Sequence, residues 1–249
     1  MSGRTLVVIP TYNEAQTVEP IVARVRRAEP DVEILIVDDA SPDGTGQIAD
    51  RIAAEDSAVH VLHRPGKVGL GAAYVAGFTW ALDRSFAAVI EMDADGSHQP
   101  EELHLLLGAL GSADLVLGSR YVPGGRVENW PRHRKLLSAG GNHFTRAVLG
   151  VPVRDATGGY RAFRSTALKD LDLESVHSQG YCFQVDLVRR ALGAGLRVVE
   201  VPITFVDRVE GTSKMTGGIV AEALWRVTGW GFARRLDQVR SWRRGGGRR

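Results

Sequence analysis

Apolar positions along the chain follow two periods. The short, nearly unbroken runs Thr5–Ile9, Glu33–Val37, Val59–Leu62, Ala87–Met92 and Asp114–Gly118 read as strands buried on both faces. Between them, apolar residues recur at three- and four-residue spacing. Glu14–Arg27 places Val18, Ile21, Val22 and Val25 on one helical face, and Gly44–Glu55 turns Ile48 and Ile52 inward. Gly71–Arg84 does the same with Val75, Phe78 and Leu82. Pro100 opens the next helix, a position where its missing N–H costs nothing, and Leu103, Leu106, Leu107 and Leu110 form the stripe. Strand-helix alternation of this kind predicts a mostly parallel α/β sheet flanked by helices. Beyond Arg120 the pattern changes. Residues 123–131 read as a loop, Arg132–Leu149 as a helix, and 155–164 as a polar, glycine-rich stretch. Phe183–Leu192 reads as a helix with Phe183, Leu187 and Val188 inward, and Arg197–Phe205 as one strand. No internal repeat and no linker precedes the C-terminal tail, so residues 1–214 are expected to form one domain and 215–249 a helical, Arg-rich arm.

Parallel sheets bind ligands beyond the carboxyl ends of their strands, which directs attention to the polar residues found there. Asp93 and Asp95 follow the fourth run; two carboxylates two residues apart supply hard oxygen ligands suited to Mg²⁺ or Mn²⁺. The alternative is a solvated acidic turn ahead of the Pro100 helix. Asp38 and Asp39 end the second strand, in a position to meet a ribose or base, or to cap the turn Ser41-Pro42-Asp43-Gly44. Two acidic strand ends in one sheet repel unless a cation or a hydrogen-bonding ligand answers them. The loop from Pro65 to Gly71 could bring a helix N-terminus to phosphate, but its glycine spacing is neither that of a P-loop nor that of a dinucleotide fingerprint. Arg134 and Ser138 share a helix face at i, i+4, and with Arg120 they would make a phosphate receptor. Read plainly, the same helix is a solvated basic segment with Arg132, His133 and Lys135.

Composition narrows the function classes. The chain has 249 residues and one cysteine, Cys182, which excludes a disulfide framework and a Cys-based zinc site and agrees with a reducing compartment. No apolar run approaches the roughly 20 residues that span a bilayer. The opening Met1–Arg4 leads straight into a strand, so no signal peptide is expected and the protein should stay in the cytoplasm. The net charge of +2 divides into +6 over residues 233–249, from seven Arg and Asp237, and −4 over the remainder. An acidic body with a basic arm argues against a nucleic-acid partner and for an anionic surface. In the tail, Ile219, Ala223, Trp225, Trp230, Phe232, Leu236 and Trp242 are mixed with arginines, a pattern suited to the lipid headgroup zone or to a helix packed on the body. The seven histidines show no metal-ligand spacing, and His63 and His98 read as solvated or hydrogen-bonded.

The motifs Pro10–Glu14, Val37–Thr45, Lys67–Gly71, Met92–Pro100 and Gly118–Tyr121 occur in an order that resembles family 2 glycosyltransferases with the GT-A fold. More narrowly they are similar to polyprenyl (dolichyl) phosphate mannose synthases, over Thr5 to about Lys214. The resemblance implies transfer of mannose from GDP-mannose to a polyprenyl phosphate with inversion, at the cytoplasmic face of a membrane. Pro10, Tyr12, Glu14 and Asp39 would hold guanosine with Lys67 nearby, and Asp93 and Asp95 the metal and diphosphate. Arg120, Arg134 and Ser138 would receive the lipid phosphate. Gln184 and Asp186 would line the sugar pocket, and Arg208 and Lys214 would close over the diphosphate on a loop hinged at Gly211. Ser97 stands where some members carry Gln as a metal ligand, so water would complete the shell. The transmembrane helices of some relatives are not expected here, and a separate membrane-anchoring protein stays open. So do UDP-glucose as donor, a soluble hydroxyl acceptor with Asp155 or Asp186 as base, and a non-catalytic nucleotide-sugar-binding role.

Overall fold

The computed structural model describes residues 3–176, 178, 180–207 and 225–232. In chain order the first half alternates β1 (Thr5–Thr11), α1 (Val18–Ala28), β2 (Glu33–Asp38), α2 (Thr45–Glu55), β3 (Val59–His63), α3 (Leu70–Asp83) and β4 (Ala88–Glu91). A 3₁₀ turn at Pro100–Glu102 then leads into α4 (Leu103–Leu110). The second half runs β5 (Leu115–Ser119), β6 (Arg126–Glu128), α5 (Arg132–Leu149), β7 (Arg161–Arg164), α6 (Ser165–Asp170), α7 (Tyr181–Gly193), β8 (Val198–Pro202) and β9 (Thr204–Val206).

Seven strands form the main sheet in the order β3-β2-β1-β4-β7-β5-β8. All neighbouring pairs are parallel except those of β7, which lies antiparallel between β4 and β5. Successive residues of β1 point to opposite faces, and both faces are covered: Leu6 and Val8 join a core with Phe78, Phe163 and Phe183, while Val7 and Ile9 join one with Ile21, Val25 and Leu106. That double burial explains why the strands read as unbroken apolar runs. Gly77 lets α3 lie directly on β1, since a Cβ there would stand 2.4 Å from Val8 Cγ1.

The structure differs from expectation in the second half. β7 lies where a polar, glycine-rich stretch was read; its middle pair, Ala162 and Phe163, is flanked by arginines whose guanidinium groups donate to backbone carbonyls. Arg161 is fully buried and donates to the carbonyls of Ala156, Gly158 and Gln184. Expected as one strand, Arg197–Phe205 divides at Ile203, and its second part pairs with β6 in a separate two-stranded sheet. β6 itself was read as loop. The helical residues 225–232 pack on the body: Val227 is buried, and Gly231 stands so close to Val148 that a Cβ there would lie 2.5 Å from its Cγ1. The remaining tail expectations, at 208–224 and 233–249, lie outside the described residues. Among the described residues, no helix is long and apolar enough to cross a membrane.

Candidate active site

The chain reverses direction of growth at β1. β2 and β3 are added on one side of it and β4 on the other, so the crevice above β1 and β4 is the place where such a sheet accepts a ligand. A cleft of about 150 Å³ lies there, walled by Pro10 near the end of β1, Tyr12 and Glu14 after it, Asp39 after β2, Lys67 before α3, and Asp93 and Asp95 after β4. Residues from four separate segments, each expected to hold the nucleotide sugar or its metal, are thus brought to one cavity. Lys67 Nζ sits 4.0 Å above the ring of Tyr12, a cation–π contact across its mouth.

Neighbouring aspartates part company at the end of β2. Asp38 turns to the structure, where its carboxylate accepts from the Ser41 amide and from the hydroxyls of Ser41 and Thr11. It serves as the cap of the following turn. Asp39 faces the cleft and is gripped from behind by Arg64, whose Nη1 donates to Oδ1 at 2.6 Å. Burial raises the Asp39 carboxyl, and the Arg64 charge opposes that rise. Arg64 was missed in the sequence, although it follows β3 as Asp39 follows β2; the strand-end rule applied to the third strand would have found it.

Asp93 Oδ1 accepts from the Tyr74 hydroxyl at 3.1 Å, and Asp95 Oδ1 from the Ser97 amide at 3.0 Å. Burial and then the charge of Asp93 push the Tyr74 phenol well above its ordinary pKa, so it stays a neutral donor. Both carboxylates line the cleft. No group of three or more His, Cys, Asp and Glu side chains among the described residues could hold a metal ion by itself. Two hard-oxygen donors on an open wall suit a divalent cation whose remaining ligands come from a bound diphosphate and water. Ser97 does not fit as a ligand as it stands: it is wholly buried and absent from the cleft lining, and its amide is what orients Asp95.

Gly159, Gln184, His98 and Asp93 meet at one point. A Cβ on Gly159 would stand 3.6 Å from Gln184 Nε2, 3.6 Å from His98 Cε1 and 3.9 Å from Asp93 Oδ2. Gln184 is buried, and its side-chain amide interacts with the Glu91 carboxyl of β4 beneath the cleft. His98 is also buried. Its Nδ1 accepts from the Asp93 amide, which leaves the ring proton to Nε2, and burial lowers its pKa so that it stays neutral. Asp186 does not join them. Its carboxylate is taken by Ser178, Arg189 and Arg190, and it is absent from the cleft lining. Beneath this group, β4 carries Glu91, fully buried 4.0 Å from Arg161. Burial lifts the Glu91 carboxyl to about 8 and lowers the Arg161 guanidinium to about 10.

On the acceptor side, Arg134 and Ser138 stand one turn apart on α5, both half-buried. Arg134 donates to Asp207 at 2.7 Å and lies 4.1 Å over the Trp130 ring. Trp130 also stands 5.6 Å from the Arg120 guanidinium, and Phe205 packs against Trp130, Arg120 and His98. A continuous aromatic seam therefore joins the α5 arginine to the histidine behind Asp93. Arg120 is turned to another task than the one expected of it. Its Nε and Nη2 make a two-point bond to Asp155 at 2.7 Å each, Nη2 also reaches Thr157, and its side chain is 4% exposed. Asn142 of α5 donates to the same carboxylate, so the pair fastens α5 to the end of β5. Burial alone would raise the Asp155 carboxyl; the charge and hydrogen bonds of Arg120 more than offset that and hold it below its ordinary value. Arg208 and Lys214 lie outside the described residues.

Arg120→Met should therefore destabilise the fold by about 3–5 kcal/mol, because it strands a buried carboxylate. Urea unfolding measures this, and a loss under about 1 kcal/mol, the range of exposed pairs, would contradict the sequestered arrangement. The sign with pH follows from the lowered folded-state pKa. The pair's contribution is present above the unfolded value of 3.8 and is lost as pH falls through the lower folded value.

Residues 6–172 match Glycosyl transferase family 2. The undecaprenyl-phosphate mannosyltransferase of Micrococcus luteus is 54% identical over 238 residues, covering 96% of this chain and 98% of that protein. The polyprenol monophosphomannose synthase of Mycolicibacterium smegmatis is 56% identical over 239 residues, covering 95% and 90%. Among solved structures, glucosyl-3-phosphoglycerate synthase from Mycobacterium tuberculosis in complex with phosphoglyceric acid superposes with a TM-score of 0.68 at 20% identity, over 92% of this chain and 81% of that one. The same enzyme in complex with Mn²⁺, UDP and glucosyl-3-phosphoglycerate gives 0.64 at 20% identity, over 91% and 77%. The fold is GT-A, and the chain belongs to the family 2 glycosyltransferases.

Proposed function

We propose that this enzyme moves mannose from GDP-mannose to the phosphate of a polyprenyl lipid, with inversion at the anomeric carbon, at the cytoplasmic face of a membrane. The observation that carries the proposal is the joining of two places by one aromatic seam: a carboxylate-walled cleft at the switch point, and the half-buried Arg134 and Ser138 one turn apart on α5. The names of the relatives at 54% and 56% identity support the same acceptor and sugar.

Guanine presents adjacent N–H donors on one edge, and the Asp39 carboxylate, held by Arg64, is a matched pair of acceptors. Asp93 and Asp95 would hold Mg²⁺ or Mn²⁺, whose charge would stabilise the diphosphate as it leaves. Mn²⁺ bound with UDP in the related fold supports a divalent ion in this place. Gln184, which meets Asp93 and His98 around Gly159, would offer its amide to sugar hydroxyls. The lipid phosphate, ordered by Arg134 and Ser138, attacks the anomeric carbon from the face opposite the diphosphate. A phosphate is already ionised near neutral pH, so the attack needs no general base; positioning and charge stabilisation supply the acceleration. A soluble hydroxyl acceptor would need a carboxylate base, and both candidates are engaged, Asp155 by Arg120 and Asp186 by Arg189 and Arg190.

The test is competition between donors on one acceptor, polyprenyl phosphate. Labelled mannose from GDP-mannose should appear in the lipid as the β-anomer, and excess UDP-glucose should not suppress it. Transfer from UDP-glucose alone would overturn the donor, and an α-linked product would overturn the inversion.

A further inference from the structure

We infer that the outer face of α5, with Leu136 and Leu137 at its apex, is the surface on which this enzyme rests against an anionic membrane. The inference rests on the lipid-phosphate reading of Arg134 and Ser138 and adds to it the part of the fold that meets the bilayer.

Of the first nine residues of α5, Arg132 to Gly140, only Arg134 and Ser138 are not exposed. Leu136 is 74% exposed and Leu137 49%, adjacent large apolar side chains with nothing over them among the described residues. Single exposed leucines need no explanation; a pair at the tip of a projecting helix turn does. The helix's own charge is of one sign, and one of its cations, Arg134, is paired with Asp207. The 18 residues of α5 include Arg132, Arg134, Lys135 and Arg146 and no Asp or Glu, in a body that carries −4 outside the last 17 residues. Apolar side chains ringed by cations suit a surface that is anionic outside and hydrocarbon beneath. A protein partner would need an acidic rim, whereas an anionic bilayer supplies both properties at once.

Geometry fixes the relation to the acceptor. With a rise of about 1.5 Å per residue, Leu136 and Leu137 stand within about 5 Å along the axis of both Arg134 and Ser138. Arg134 and Ser138 occupy the half-buried face that looks into the protein, and the leucines occupy the exposed face. A polyprenyl phosphate keeps its phosphate at headgroup depth, and amphipathic helices seat their apolar face about 5–10 Å into that zone. Leucines inserted to that depth bring the Arg134–Ser138 face level with lipid phosphates, so the acceptor need not leave the bilayer to be reached.

The experiment compares the full chain with its Leu136→Ser, Leu137→Ser variant in flotation with phosphatidylglycerol–phosphatidylcholine vesicles containing no acceptor. Vesicle affinity should fall about tenfold, as expected from withdrawing two leucines from an apolar phase. Transfer to long-chain polyprenyl phosphate embedded in the vesicles should fall with it, and transfer to a short, water-soluble prenyl phosphate should stay within about twofold, since no phosphate contact is removed. Leu136→Phe with Leu137→Phe should retain both binding and transfer. Vesicle affinity in the serine variant equal to that of the unaltered chain would overturn the inference. So would a dimer that the serine variant dissociates while vesicle binding persists, because the leucines would then be a contact between copies. If the unaltered chain binds vesicles through these leucines yet transfers to neither acceptor, the surface stands and the lipid-phosphate reading falls.

Discussion

Asp95→Asn should lower turnover by about 10³-fold, and added Mg²⁺ or Mn²⁺ should not restore it. The substitution keeps the shape of the side chain and an oxygen for the Ser97 amide, so the fold of the 93–97 turn is preserved. What it removes is one of the two negative charges that Asp93 and Asp95 place on the cleft wall. Under the proposed chemistry the leaving group gains charge as the anomeric bond breaks, so catalysis depends on where positive charge is held as well as on whether a cation is bound. Metal titration separates these roles. If Asp95 only raised affinity, millimolar cation would rescue the asparagine variant. If it fixes position, turnover stays low at saturation while GDP-mannose binding changes little. Recovery of near wild-type turnover at high metal would remove Asp95 from the catalytic assignment.

Arg134→Ala should lower kcat/KM for polyprenyl phosphate by about 10²-fold and leave GDP-mannose affinity within about twofold. A guanidinium grips phosphate oxygens through a planar fork, and each charge-assisted bond contributes about 1.5–3 kcal/mol. Arg134 is prepared for that role by Asp207 on one nitrogen and by the Trp130 face, which hold the guanidinium without filling its fork. Arg134→Lys keeps the charge and loses the fork, so it should lie between the two. The measurement is steady-state kinetics with acceptor varied, alongside calorimetric titration of GDP-mannose. A rise in the donor dissociation constant with an unchanged acceptor KM would reverse the assignment.

Six of the seven main-sheet strands and the first five helices were legible from the two kinds of periodicity. β1 alternates between two covered faces, and α1 buries the four residues its spacing selected. α5 begins and ends at the residues read from the sequence. β7 was not legible, since Arg161 occupies a fully buried strand position that polarity alone would assign to solvent; only three carbonyls brought near by the fold make it tolerable there. The site was readable to the level of segments and less so to the level of side chains. Adjacent residues at a strand end point to opposite sides, so strand-end reasoning named Asp38 and Asp39 together, and only the resemblance singled out Asp39, the one that lines the cleft. Gln184 and Asp186 are a different case. Two residues on a helix are separated by about 200° of rotation, so spacing already argued against both facing one pocket, and the structure turns Asp186 to Arg189 and Arg190 instead. The Arg120–Asp155 pair joins residues 35 apart in sequence and has no local signature.

Under the proposed function, a divalent cation at Asp93 and Asp95 serves transfer to a lipid phosphate held by α5. That role is tested most directly by following radiolabelled mannose from GDP-mannose into polyprenyl phosphate, with Mg²⁺ or Mn²⁺ and then with excess chelator. Labelled lipid is expected in the presence of either cation, with loss of label on chelation and recovery when the cation is returned. Label that enters the lipid undiminished with chelator present, or no label in the lipid under any of these conditions, would contradict that role.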